Sequence, residues 1–341
     1  MKTFRALCRT ALLALCGLLC AACGAAEPAG SAPGSAVQPE TPAPSLQTPY
    51  VGIVLKSLDN PYFQLIKAGA EDEADARGVE VMVFSPDGEA DTDDQADMLC
   101  TMADMAVDVI AIAPVDEDAL ADGLARAARN GKYLLAVDTA LDSDVCACYI
   151  GTDNYAAAYQ QGQYAAGLVE PGACAVILRG QAQDKAHTQR EAGLTDALHA
   201  AGVYVLDTEV CDSSAELAGQ TMAGLLAVYD TIDLVCTTSD SMAAGAQRAI
   251  AQAGRADGIR IVSFDGMPEV CELVRAGDID AVFAQDAYAI GQQCIRAAVQ
   301  LYQGESVPPT IYTDVTCITA ETAQAHIDEV VRRLRHEKTN R

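Results

Sequence analysis

The sequence predicts an α/β chain folded as two Rossmann-like lobes with parallel sheets. Three observations carry that expectation. From Tyr50 onward, short apolar runs alternate with longer amphipathic stretches, the pattern of βαβ units. The alternation breaks at Gly151-Thr152-Asp153-Asn154 and then begins again, so two arrays of similar size form two sheets rather than one very wide one. A chain of 341 residues, 50% of them hydrophobic, is long enough to bury a core in each.

In the first array, residues 50–55 (YVGIVL) read as a buried strand and residues 61–77 as a helix stopped by Gly78. Strands are expected at 79–84, at 109–113 before Pro114, at 133–137 and at 146–150, with helices at 94–105 and 117–130. In the second array a helix is expected over 155–168. Strands follow at 173–178, 203–208, 234–237, 259–264 and 281–284, with helices between them. A last helix spans 320–335 with Thr319 as its N-cap. No short repeat period appears, which argues against a solenoid.

Residues 1–22 read as a signal peptide: Lys2, Arg5 and Arg9 precede an apolar stretch at 11–20 that is too short for a good span. Ala21 and Ala22 lead into Cys23 and Gly24, which resembles a lipobox, although Cys20 stands where that pattern prefers Leu. Cys23 is therefore expected to carry a lipid. Residues 23–49, rich in Pro, Ala, Ser and Gly, then form a flexible tether to the membrane. Of 13 cysteines, Cys8, Cys16 and Cys20 leave with the signal. Most of the rest lie in apolar runs without CxxC spacing, as buried thiols do.

A formal net charge of −26 excludes a nucleic-acid partner, whose phosphates it would repel. No GxSxG elbow, P-loop or GxGxxG opening the first helix is present, so the chain is not expected to be an enzyme. The acidic run from Asp87 to Asp94 lacks the register of a calcium loop. It reads as a solvated segment placing negative charge at a helix N-terminus. No metal and no cofactor are expected.

Ligands of open parallel sheets bind beyond the C-terminal ends of the strands. Lys56, Asn60, Tyr62 and Phe63 follow the first strand, and Asp138 and Thr139 the fourth; Arg190 lies beyond the first strand of the second array. Ser239 and Asp240, Asp265 and Gly266, and Gln285 and Asp286 follow later strands. Amides, carboxylates, one Arg and adjacent aromatics suit a polyhydroxylated ring: its hydroxyls both donate and accept, and its C–H face covers an aromatic one.

Lys56-Ser57-Leu58-Asp59-Asn60-Pro61-Tyr62-Phe63, followed by a helix, resembles the opening of the ribose/galactose-type periplasmic sugar-binding proteins, type I solute-binding proteins of ABC importers. Val262-Ser263-Phe264-Asp265-Gly266 is similar to their late strand-to-turn motif, and residues 279–291 to the segment after it. The resemblance runs over residues 50–319. It implies a first lobe of residues 50–152 with 286–313 and a second of 153–285 with 314–341, joined by a three-strand hinge. It implies ligand contacts from Asn60, Tyr62, Phe63 and Asp138 in the first lobe, and from Arg190, Asp265 and Gln285 in the second lobe or hinge. The ribose binders have a small polar residue at Lys56, Arg at Thr139, Phe near Ser213 and Asn near Ser239, so these four positions mark a departure in specificity. A larger sugar, a polyol or a substituted sugar fits as well as ribose.

The implied function is capture of a small sugar-like ligand by hinge closure for ABC permease subunits, by a monomer at the outer face of the membrane. A receptor feeding a membrane sensor kinase or chemotaxis system, or a binder of a nucleoside or autoinducer, is the alternative. Asp138 and Asp265 in the cleft are expected to repel anionic ligands.

Overall fold

The computed structural model describes residues 48–339. The expected signal peptide, Cys23 and the tether as far as residue 47 lie outside the described residues.

β1 (Tyr50–Val54) is apolar on both faces and almost wholly buried, as a central parallel strand covered by helices must be. β2 (Glu80–Phe84) and β3 (Val109–Ile112) pair on either side of it, and β4 (Tyr133–Asp138) and β5 (Cys148–Gly151) extend the sheet beyond β3. All are parallel, and the order is completed at the far edge by β11 (Thr310–Tyr312). The second sheet repeats the plan with β6 (Cys174–Arg179), β7 (Tyr204–Val210), β8 (Leu234–Thr237), β9 (Arg260–Asp265) and β10 (Ala281–Gln285). Its edge strand β12 (Val315–Ile318) is antiparallel to β10. The two α/β lobes are thus those expected.

β11 and β12 are not among the expected strands; only a chain crossing is expected there. Both are short, partly exposed edge strands, and neither carries an apolar run that would mark it.

Local chemistry sets the helix that opens the first lobe. The Asn60 side chain caps α1 (Pro61–Arg77) by accepting from the Tyr62 N–H, Pro61 fits the first turn, and Gly78 ends the helix at φ 65°. α1 packs on α9 (Ala287–Tyr302), to which the chain returns after β10. Gly291 makes the approach possible: a Cβ there would run into the Ile66 carbonyl of α1. α2 (Thr92–Asp104) and α3 (Glu117–Arg129) cover the other face of the first sheet, and their apolar side chains join β3 in a second core cluster.

In the second lobe, α4 (Asn154–Ala166) and α5 (Lys185–Ala200) pack together on one face, and α6 (Ala215–Val228) and α7 (Asp240–Gln252) on the other. The closing helix α10 (Ala323–Thr339) begins three residues later than expected, because Thr319 and Thr322 form a turn in which the Thr319 N–H donates to Thr322 Oγ1. α10 lies against α8 (Pro268–Ala276) of the second lobe and α1 of the first. The nine cysteines among the described residues are free thiols, five of them buried, which agrees with the reading as small hydrophobes.

Candidate functional site

Strand ends from both sheets converge between the lobes. β4 ends at Asp138 with φ 64° and β9 at Asp265 with φ 115°, conformations that non-glycine residues rarely adopt. Such strain persists where surrounding structure over-determines it, and here it aims two carboxylates into the interlobe space.

On the first-lobe side, Lys56 follows β1 and is 3% exposed. Its ammonium donates to Thr139 Oγ1 at 2.8 Å, to Asp138 at 2.8 Å and to Asp184 at 2.6 Å. These contacts use all three of its donors. Asp184 belongs to the second lobe, as the N-cap of α5, so this ion pair crosses the cleft. Burial works against the ammonium, but the two carboxylates outweigh it and hold its pKa above the ordinary lysine value. Asp184 is fully buried, which opposes its charge; the Lys56 ammonium, with a hydrogen bond from the Ala186 N–H, nevertheless keeps its pKa low. The Tyr62 hydroxyl donates to Asp138 at 2.8 Å, and its ring meets that of Phe63 edge-on at 5.1 Å. The Lys56 ammonium stands 5.8 Å from the Phe63 ring centre.

On the second-lobe side, Arg190 of α5 lies over the Phe264 ring at 4.2 Å. It donates to the Thr238 carbonyl at 2.9 Å, to Asn154 Oδ1 at 2.8 Å and to Asp265 at 3.2 Å. Gln285, where the chain leaves the second lobe, donates to Asp265 at 2.8 Å and accepts from Thr152 at 2.6 Å. Thr152 lies on the other crossing, so the hinge is bonded directly to the site. Burial pushes the Asp265 carboxyl up to about 6 despite Arg190. Its neighbour Asp240 is also raised, by burial and by the Asp265 charge.

Lys56, Tyr62, Phe63, Asp138 and Thr139 therefore meet in one cluster, and Arg190, Asp265 and Gln285 in another facing it. Asn60 joins through its side chain, which caps α1 with Oδ1 and donates through Nδ2 to Glu89 at 2.8 Å. Ser213, at φ 53°, donates to Gln181 Oε1 at 3.1 Å and lies 3.3 Å from His187 Nε2. Ser239 stands at the N-cap position of α7 without a capping bond, its hydroxyl 3.3 Å from that of Ser241. A cavity of about 590 Å³ opens between the lobes, lined by Asn60, Glu89, Ser213, Asp240, Asp265 and Met267 among others.

Three groups were missed in the sequence: Glu89, Asp184 and His187. Asp184 opens a helix after a strand, the position searched, and was available to the rule that found Asp240 at the start of α7. His187 is buried beside Asp184, and burial lowers its pKa to about 3, so the ring is neutral. Glu89 corrects the reading of the acidic run as wholly solvated. Asp93 and Asp94 do occupy the first turn of α2, but a turn in which Asp91 accepts from the Gly88 N–H brings Glu89 to the cavity wall. Among the described residues no group of His, Cys, Asp and Glu is arranged to hold a metal ion.

The class these features define is a two-lobed solute-binding protein, with its ligand space between strand ends. The chain belongs to the periplasmic binding protein domain family, whose model matches residues 51–306. It is thus a binding protein and not an enzyme. It is 28% identical over 271 residues to the ribose import binding protein of Salmonella typhimurium (strain LT2), covering 79% of this chain and 90% of that one. It is 28% identical over 266 residues to the D-allose-binding periplasmic protein of Escherichia coli (strain K12), covering 75% and 86%. Among solved structures, the periplasmic component of an ABC-type sugar transport system from Hahella chejuensis superposes with a TM-score of 0.76 at 26% identity, over 80% of this chain and 100% of that one. An ABC transporter solute-binding protein from Actinobacillus succinogenes with bound D-allose superposes with a TM-score of 0.75 at 22% identity, over 82% and 100%.

Proposed function

We propose that this protein captures a small sugar or sugar-like polyol outside the cytoplasm and presents it to the permease of an ABC importer. The observation that carries the reading is the pairing of Asp138 and Asp265 at opposed strand ends, backed by Arg190 and Gln285 and flanked by Tyr62 and Phe63. Carboxylates and an amide take up hydroxyl hydrogens, the guanidinium donates to hydroxyl oxygens, and the aromatic rings cover C–H surface. The ribose and allose binding of the relatives supports the same ligand class.

The ligand site comprises Lys56, Asn60, Tyr62, Phe63, Asp138, Thr139, Arg190, Ser213, Ser239, Asp265 and Gln285. Lys56 supplies near Thr139 the cation that the ribose binders carry as Arg at the Thr139 position. The moving bodies are residues 50–152 with 286–313 and residues 153–285 with 314–341. A ligand that touches both bodies only when they close shifts the population towards closure, and the permease reads the closed face. The mature chain works as a monomer held at the membrane by a lipid on Cys23, and hydrolysis of ATP belongs to a separate subunit.

Differential scanning fluorimetry against monosaccharides, polyols and nucleosides tests the reading. A ligand at 100 times its Kd stabilises by about 2.7 kcal/mol, enough for a clear rise in Tm. Shifts confined to sugars and polyols support the proposal, whereas shifts with nucleosides alone count against it.

A further inference from the structure

We propose that the ligand of this cleft carries a protonated amine and that Glu89 receives it, so that the natural ligand is an amino sugar or amino polyol. This rests on the reading of the cleft as a polyol site.

The argument is the charge balance around the cavity. Asp240 and Asp265 are buried at its wall and Glu89 is half-buried there, while Asp138 and Asp184 are buried behind the lining. Lys56 and Arg190 face them. Asp138 and Asp184 share the Lys56 ammonium, and Asp265 has Arg190. Asp240 is held by neutral donors, Ser263 Oγ and the Met267 N–H, both at 2.6 Å. Glu89 has the Asn60 amide and, among the described residues, no cation within ion-pair distance. The two cations are already committed within the protein, so neither is free to neutralise it.

Farther out the imbalance grows: Asp59, Asp87, Asp212 and Glu269 line the cavity, against Arg248 as its one cationic side chain among the described residues. Carboxylates withdrawn from water without a countercharge are costly, and their fields add in a low-dielectric cleft. Burial accordingly pushes the Glu89 carboxyl up to about 7, against the Asn60 hydrogen bond and the more distant Lys56. A ligand ammonium supplies the missing charge and offers only donors, which suits a wall of acceptors better than a hydroxyl does.

The test is calorimetry on the mature chain at pH 7 with three amines and their neutral parents. The pairs are D-glucosamine with D-glucose, D-galactosamine with D-galactose, and 1-amino-1-deoxy-D-sorbitol with D-sorbitol. At least one amine is expected to bind tenfold or more tightly than its parent, and Glu89→Gln to cut that ratio about tenfold. Neutral parents binding as tightly as every amine would overturn the proposal while leaving the sugar site standing. An amine preference that survives Glu89→Gln would overturn the assignment of Glu89. Binding of neither series would remove the polyol reading and this proposal together.

Discussion

Lys56 of the first lobe and Asp184 of the second form a buried ion pair of 2.6 Å across the cleft. Separation of the lobes returns both groups to water, so the pair bears on closure more than on folding. Removing one partner of a buried pair costs about 3–5 kcal/mol where the other stays buried. Asp138 and Thr139 still hold Lys56 here, so Asp184→Ala is expected to weaken ligand binding about tenfold, with little change in the Tm of the ligand-free protein. In a double-mutant cycle, Lys56→Met with Asp184→Leu should recover part of the loss. Additive losses in calorimetry would show that the pair is not coupled.

The neutral His187 sets a pH dependence. Unfolded His takes up a proton near pH 6.5, whereas burial in the native state delays this to about pH 3. The unfolded chain thus binds more protons between those values. The stability from the neutral ring is present above about pH 6.5 and is lost as pH falls towards 3, by at most roughly 1.4 kcal/mol per pH unit. Asp265 and Glu89 act in the opposite sense: their native carboxyls keep protons to about pH 6 and pH 7, so their crowding lowers stability as pH rises through those values. Urea unfolding of the protein and of His187→Gln at pH 7 and pH 5 separates the contributions. The variant is expected to lose less stability on acidification; parallel losses would rule out the titration of His187.

Gly291 and Gly224 should respond oppositely to a side chain. A Cβ at Gly291 meets the Ile66 carbonyl, so Gly291→Val must part α1 from α9 and is expected to cost about 1–3 kcal/mol. At Gly224, inside α6, a Cβ meets only open space, and Gly224→Ala should stabilise by about 0.5–1 kcal/mol. Thermal denaturation reads both, and equal effects would place the α1–α9 contact elsewhere.

The proposed lipid on Cys23 predicts that Cys23→Ser moves the protein from the membrane fraction to the soluble exported fraction. Normal processing and membrane retention of that variant would exclude a lipid anchor there.

The fold was legible because its signals are local. Asn60, Pro61 and Gly78 mark both ends of α1, and a run such as YVGIVL, β-branched and too short for a helix, reads as a buried strand. The rule that ligands lie beyond strand ends pointed to Lys56, Asp138 and Asp265, and the fold brings all three to strand ends between the lobes. What escaped depends on distant partners. Asp184 is 128 residues from Lys56, and nothing near Asp184 signals that Lys56 will meet it. Glu89 sits in a run of like charges whose ordinary fate is solvent, and only the turn closed by Asp91 and the Asn60 amide bring it inward. β11 and β12 are too short and too exposed to differ from loop until their neighbouring strands are in place.

The central claim is that ligand is held between the strand ends of β4 and β9, and calorimetry on Asp265→Asn tests it most directly. Asp265 accepts from both Arg190 and Gln285, and charge-assisted bonds of this kind are worth roughly 1.5–3 kcal/mol. With the sugar or polyol that most raises the Tm of the unmodified protein, the variant is expected to bind about 10- to 100-fold more weakly, since about 1.4 kcal/mol is tenfold. Asp93→Ala, on the exposed first turn of α2, should leave affinity unchanged. Undiminished binding by Asp265→Asn, with loss of binding in Asp93→Ala, would contradict the account and put the ligand outside this cleft.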